Sequence, residues 1–413
     1  MQKLKSIFSP RKIFVWLTLF LLAVTSPELA KPAMSKTEAI VTALCVEKEE
    51  GEIKIASTVL TPLEGKKADY KVYTGSGRTL GEAVDNVSLS LGKLLSFAQC
   101  EIMAFGDNLC QDGVMPALDF MTRTKKVGSN AILINFSGDV NDFANSISTL
   151  NTDKSLKLQE ILTFSRRYIL WSDSNIEAFY KGYFSDISLG IMPHLKLEKT
   201  EQNTAIEVQA QNQSSASSSS ESSSSSSKSQ QKQYFVNDGS MAVFKNGTKV
   251  LNLLPEQVKK ATFFVNDEQK GTLIVNNVND HLYNNASVVL NVLNKSSSAK
   301  ANFKNGAPTM QVDVSFSVTV EEVDEETPTD KFLTRNREFL TDRLIASTKQ
   351  QVKQDMLSMV EFCKEHQLDL LGVYKQFYHT QYKPFKAYLN EVGKKNYLND
   401  IEFEISVEID SAY

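Results

Sequence analysis

Met310-Gln311-Val312-Asp313-Val314-Ser315-Phe316-Ser317-Val318-Thr319-Val320 alternates apolar and polar residues without a fault, and Ile401-Glu402-Phe403-Glu404-Ile405-Ser406-Val407-Glu408-Ile409-Asp410 repeats the pattern near the end. Successive side chains of a strand point to opposite faces, so each run has one face to bury and one to leave in water. Between the runs a helix is predicted from about Thr329 to Lys364, with Phe332, Leu340, Leu344, Val352, Met356, Met359 and Val360 as its apolar stripe. A second helix is predicted from Pro384 to Val392. The result is a strand–helix–helix–strand unit whose helices cover one face of a sheet.

Upstream of this unit, Asn246-Gly247 and Asn305-Gly306 are hairpin turn signals. Leu253-Leu254-Pro255-Glu256-Gln257 starts a short helix, and strands are predicted over 271–278, 287–293 and 299–303. In the first half, strands are predicted at 38–46, 53–60 and 71–74, the first two joined by a charged turn over 47–51. Thr79 with Glu82 three residues on is a capping-box pattern, opening a helix that runs to Leu95. Short strands at 101–105 and 131–136 alternate with short helices at 115–122 and 142–147. From 150 to 199 the pattern weakens, with local helix at 160–162 and 176–179, and Trp171 reads as core. The fold class is α+β (mixed α/β), multi-domain, with mixed sheets and helices packed on one face.

The 413 residues carry 45 Lys and Arg against 49 Asp and Glu, a formal charge of −4. That balance argues against nucleic acid as a partner. Four cysteines are too few for a disulfide scaffold. Cys45 and Cys100 lie in strand-like apolar runs and read as free, buried thiols; pairing among Cys45, Cys100, Cys110 and Cys363 stays open.

Lys3, Lys5, Arg11 and Lys12 precede the apolar run Ile13 to Val24, the plan of an export leader. The run is shorter than the ~20 residues of a bilayer-spanning helix. Val24-Thr25-Ser26 offers small residues for cleavage but Pro27 follows, and Lys31 stands two positions before Ala33. The leader is therefore either removed or retained as an N-terminal anchor. The rest of the chain is expected outside the cytoplasm, where cytosolic nucleotide cofactors are not at hand. Residues 201–233 are rich in Gln, Asn and Ser, with a nearly pure serine tract from Ser214 to Ser229. Such a stretch lacks the apolar area to offset chain ordering. It reads as an expanded surface loop, with a partner tether as the alternative. The expected divisions are 1–33, the leader; 34–200, an α/β region with a split near 150 left open; 201–233, the linker; and 234–413, an α+β region with a split near 270–300 left open.

Enzyme patterns fail one by one. Gly75-Ser76-Gly77-Arg78-Thr79 sits where phosphate loops sit, but a dinucleotide fingerprint needs glycine at Leu80 and no P-loop follows. Cys363, His366 and His379 lack any metal-ligand spacing. No serine elbow is present, and Glu321 to Glu326 reads as a solvated acidic connector. No catalytic, cofactor-binding or metal site is predicted.

Several segments stand in a familiar order: Thr37 to Leu44, Gly75 to Leu109, Gly113 to Phe143, Gly239 to Gln257, then Leu368 to Gly372, Tyr382 to Phe385 and the last strand. Together they resemble the C subunits of spore germinant receptors, the Ger(x)C family. The resemblance implies an extracytoplasmic, membrane-associated, non-enzymatic subunit in spore germination. Its implied partners are membrane-embedded germinant receptor subunits and the membrane surface; contact with the nutrient is left open. The sequence departs from that family twice. Family members carry a lipid-modified cysteine after the leader, and no cysteine precedes Cys45 here. The family's C-terminal pattern has a glycine and a tryptophan where this chain has Tyr374 and Phe385. Arg78, Arg123, Lys125 and Lys126 are the candidate contact surface for anionic lipid or a partner, with a solvated loop as the plainer reading. The alternative function is an exported ligand-binding or envelope-interaction protein acting without receptor partners. A third, an exported hydrolase, needs a concave site with two facing acids.

Overall fold

The computed structural model describes residues 38–61, 69–152, 174–199, 233–236, 239–265, 271–324 and 340–411, together with Leu158 and Leu162. The leader, the serine tract, Trp171 and residues 325–339 lie outside the described residues.

Two mixed sheets carry the α+β architecture. The first begins with β1 (Glu38–Glu49), β2 (Glu52–Thr61) and β3 (Asp69–Gly77), an antiparallel meander. Helix α1 (Leu80–Leu91) follows, then β4 (Leu94–Ser96), β5 (Ile102–Gly106), α2 (Asp107–Asp112), α3 (Met115–Asp119) with one π-helical turn over Phe120–Thr124, β6 (Ile132–Ser137), α4 (Val140–Thr152), α5 (Ile176–Tyr183) and β7 (Leu189–Lys199). β8 (Gln233–Val236), β9 (Met241–Lys245) and β10 (Thr248–Leu253) complete the sheet. Its main path runs β10-β9-β7-β6-β5-β1-β2-β3, with β4 on β1 and β8 on β7. β1, β5, β6 and β7 are mutually parallel.

Strands buried on both faces read as continuous apolar runs. In β1, Val41, Leu44 and Val46 face α1, α2 and α3, while Ala43 and Cys45 face α4. Helices thus cover both faces of this sheet, and β5 (IMAFG) is buried along its whole length.

Thr79 caps α1 as expected, its Oγ1 accepting from Glu82 N at 3.2 Å. The Glu82 carboxylate accepts from Arg78 N at 2.8 Å, one residue before the capping-box position. The helix stops at Leu91, short of the predicted Leu95, because Gly92 adopts a left-handed conformation with φ 65°. Leu94 and Leu95 are thereby released to pair with β1.

β7 was not foreseen. Its residues 189–193 pair with β9, and from His194 onward it pairs with β6 and then β8. Pro193, which has no N–H to give, falls at that change of neighbours.

The second sheet runs β11 (Gly271–Val278), β12 (Ala286–Lys304), β13 (Ala307–Asp324) and β14 (Glu402–Ser411) in order. β12 is one strand, not the predicted two, with a register shift between Val292 and Asn294. Asn246-Gly247 and Asn305-Gly306 make the predicted turns, all four residues at positive φ. α6 (Pro255–Thr262) precedes this sheet.

β13 and β14 are parallel, so a crossover must join them. Among the described residues it contains three helices, α7 (Asp342–His366), α8 (Val373–Thr380) and α9 (Tyr382–Val392), where two were predicted. α7 starts at the N-cap Thr341; Leu340 precedes it, and the predicted Leu344, Val352, Met356, Met359 and Val360 are buried. Beneath them Met310, Val312, Val314, Phe316 and Val318 form the apolar face of β13. β9 ties the two halves together. Ala242 and Phe244 enter the first core, while Met241 and Val243 enter the second.

Candidate functional site

The parallel strands β5 and β6 end side by side, and a cluster of buried and half-buried polar groups gathers there. Asp107 opens α2 directly after β5. Asn135 and Ser137, two apart on β6, lie on one face, and His194 is the register partner of Asn135 on β7. Lys249 arrives from β10.

Lys249 Nζ donates to Asp107 Oδ1 at 2.5 Å and to Asn135 Oδ1 at 2.8 Å. Asn135 Nδ2 donates to Asp107 Oδ1 at 3.0 Å and to Phe105 O at 3.1 Å. His194 Nδ1 lies 2.7 Å from Asn135 Oδ1, which, as an acceptor, fixes the ring proton on Nδ1. Ser137 Oγ donates to Asp107 Oδ2 and lies 3.3 Å from His194 Nε2. Burial would push the Asp107 carboxyl up, but Lys249, Ser137 and Asn135 outweigh it and hold the group below the usual carboxylate range.

Glu47, at the end of β1, stands beside this cluster. Its Oε1 accepts from Lys48 N at 2.6 Å and Leu109 N at 3.0 Å, giving the first turn of α2 an acceptor. A Cβ on residue 106 would lie 1.9 Å from Glu47 Oε2, so any side chain there would displace this carboxylate. Burial pushes the Glu47 carboxyl up against these backbone bonds.

Serine, histidine and asparagine in hydrogen-bonded order invite comparison with a nucleophilic triad. The chemistry differs. A hydroxyl has one proton, and Ser137 gives its own to Asp107, not to His194. The asparagine oxygen is shared with a lysine ammonium. The arrangement binds α2, β6, β7 and β10 to one another as a structural hub.

A second knot sits in the crossover. Asp369, within Leu368-Asp369-Leu370-Leu371-Gly372, accepts from Val373 N at 2.8 Å, Tyr374 N at 2.6 Å and the Tyr397 hydroxyl at 2.6 Å. Burial pushes its carboxyl up, and these donors pull it back. The two positions that depart from the family pattern meet here: the rings of Tyr374 and Phe385 are 5.3 Å apart, and both meet the Tyr397 ring edge to face.

The predicted contact residues are placed as follows. Arg78 is exposed at the start of α1. Arg123 is exposed but pairs with Asp119 at 2.9 Å, one turn away. Lys125 lies over the Phe120 ring, 5.5 Å from its centre. Lys126 is exposed, with φ 56°. A Cβ on residue 81, in the first turn of α1, would lie 3.5 Å from the same Phe120 ring.

All four cysteines are buried free thiols. Burial pushes Cys100 and Cys363 up to about 12. Among the described residues, no group of three or more His, Cys, Asp or Glu stands close enough to hold a metal ion. A depression of ≈ 240 Å³ on the outer face of the second sheet is lined by Ser296, Ser298, Asp313, Ser315, Ser406 and Glu408. It contains two acids, yet it is a hollow in a solvent-facing sheet, with none of the described residues over it to exclude water. Among the described residues no helix is long and apolar enough to cross a membrane.

Fold and site together define an α+β protein of two fused mixed sheets, its polar clusters spent on holding elements in place. The match to known families is ordered and broad. The model of the spore germination protein N-terminal domain covers residues 36–197, and that of the spore germination B3/GerAC-like C-terminal domain covers residues 239–411. The chain belongs to this spore germination family, the C subunits of germinant receptors that its ordered segments resemble. Among solved structures, the crystal structure of the GerBC protein is similar in fold, with a TM-score of 0.50 and 12% identity over 90% of this chain and 97% of that chain. No curated protein matches.

Proposed function

We propose that the chain is a non-enzymatic, extracytoplasmic subunit of a spore nutrient-germinant receptor, working through contacts with membrane-embedded subunits. The observation that carries the reading is the ordered match of both family regions, which together take in strands of both sheets. The geometry supports it. The Asp107–Lys249 hub is closed on itself, and the two acids of the outer depression lie open to water.

The test is to tag the chain in its spore-forming host, solubilise spore membranes and purify it. Multi-spanning membrane proteins are expected in stoichiometric amounts, and deletion is expected to slow nutrient-triggered germination. Purification without membrane partners, with germination unchanged on deletion, overturns the proposal.

A further inference from the structure

The α8–α9 hairpin carries a surface that the hub and the knot leave unexplained. Between 373 and 397 stand five lysines, Lys375, Lys383, Lys386, Lys394 and Lys395, against Glu391 alone, in a chain of formal charge −4. Lys394 is taken up by Asp186 at 3.0 Å. Lys375, Lys383 and Lys386 are exposed, and none has an acidic partner among the described residues. Among these cations stand Tyr378 and Tyr382, 39% and 45% exposed. Their rings meet edge to face at 5.1 Å, and Lys386 Nζ lies 5.7 Å from the Tyr382 ring centre.

These side chains are spare. The buried faces of the two helices are already furnished by Val373, Tyr374, Phe377, Phe385 and Tyr388. The base is also fixed. Asp369 caps α8, Gln376 Nε2 donates to Ala299 O at 2.6 Å, and the Phe377 ring packs on Phe303 at 5.6 Å.

Lysines on long stems around exposed tyrosine rings match one kind of surface well. The ammonium groups reach phosphate, while the amphipathic rings settle at the level of the headgroups. A protein hot spot is a pocket filled by an anchor. The concavities described on the outer sheet face and between α7 and β11 are not lined by these residues. A bilayer needs no pocket. We infer that Lys375, Tyr378, Tyr382, Lys383 and Lys386 form a docking surface for an anionic phospholipid bilayer. The inference rests on reading the chain as a membrane-side subunit, and it names which part of the chain touches lipid.

The experiment is co-sedimentation of the full chain with phosphatidylcholine vesicles, with and without phosphatidylglycerol. Wild type is compared with K375Q/K383Q/K386Q, Y378S/Y382S and the control K71Q/K93Q/K353Q, which removes the same charge from exposed lysines elsewhere; the leader is common to all four. At roughly fivefold per lysine, the first variant loses on the order of 100-fold in partitioning to anionic vesicles at low salt. That difference shrinks at high salt, whereas the tyrosine variant stays weaker at both salt concentrations. The control binds as wild type does. Equal binding of wild type and K375Q/K383Q/K386Q overturns the inference, as does an equal loss in the control. If K375Q/K383Q/K386Q still binds vesicles like wild type but loses its membrane-protein partners, the surface docks protein; the lipid inference then falls and the receptor reading stands. If vesicle binding follows the expected pattern while the tagged chain has no receptor partners, the lipid surface stands and the receptor reading falls.

Discussion

Lys249, on a strand that follows the serine tract, places its ammonium 2.5 Å from the carboxylate of Asp107, which lies 142 residues earlier. The lysine side chain is 9% exposed and the aspartate 32%. Removing one partner of such a pair leaves a charge without compensation. K249M is expected to destabilise by about 3 kcal/mol. K249M/D107N is expected to recover part of that loss, so a double-mutant cycle in urea should show coupling.

The two neighbouring carboxylates respond to pH with opposite sign. Asp107 is held low, so its contribution is present above its unfolded value of about 3.9 and is lost as pH falls through the lower folded value. Glu47 is raised, so its contribution is complete below about 4.3 and is lost as pH rises through the folded value. Toward acid, the stability of wild type relative to D107N falls, while that of wild type relative to E47Q rises. Urea midpoints for the three proteins from pH 7 to about pH 3 check both slopes.

Asp369 has two carboxylate oxygens, and they take hydrogen bonds from Val373 N, Tyr374 N and the Tyr397 hydroxyl. An asparagine offers one acceptor oxygen and turns an NH₂ toward N–H groups. D369N is expected to cost about 3 kcal/mol, and Y397F about 1.5 kcal/mol, because it removes a single bond to the charged acceptor. Thermal unfolding should rank them in that order.

A Cβ on residue 182 would lie 2.0 Å from the backbone oxygen of Leu189, where α5 closes on β7. Backbone cannot swing aside as a side-chain tip can. G182A is expected to destabilise by about 2 kcal/mol, read from the denaturant midpoint.

All four thiols are buried, with Cys45 and Cys110 also raised by burial. Since the thiolate is the reactive form, the native protein is expected to resist alkylation at neutral pH. Mass spectrometry after unfolding should find four modified cysteines and no disulfide.

Structure is legible in the sequence where one segment holds its own instructions. The alternation of β13 and β14, the Thr79 cap and the turn at Asn246-Gly247 each lie within a few residues. β7 was missed because its neighbours change at Pro193, so no single alternation describes it. The hub was missed for a related reason. Asp107, Asn135, His194 and Lys249 come from four separate strands or strand ends, and no local window contains two of them. Arg123 showed its charge in the sequence, and Asp119 one turn before it was the sign that the charge was already engaged. The lysines and tyrosines of 375–386 are visible in the sequence, but which of them stay exposed depends on how α8 and α9 pack.

β7 ends at Lys199 and β8 begins at Gln233, and those two residues are register partners. The stretch between them therefore leaves and rejoins the scaffold at adjacent rungs. Because its two ends are held as a pair, the spacing of β7 and β8 is set by their own ladder. Severing the stretch would yield two polypeptides that still copurify as one particle, which makes this junction the natural place to insert a reporter.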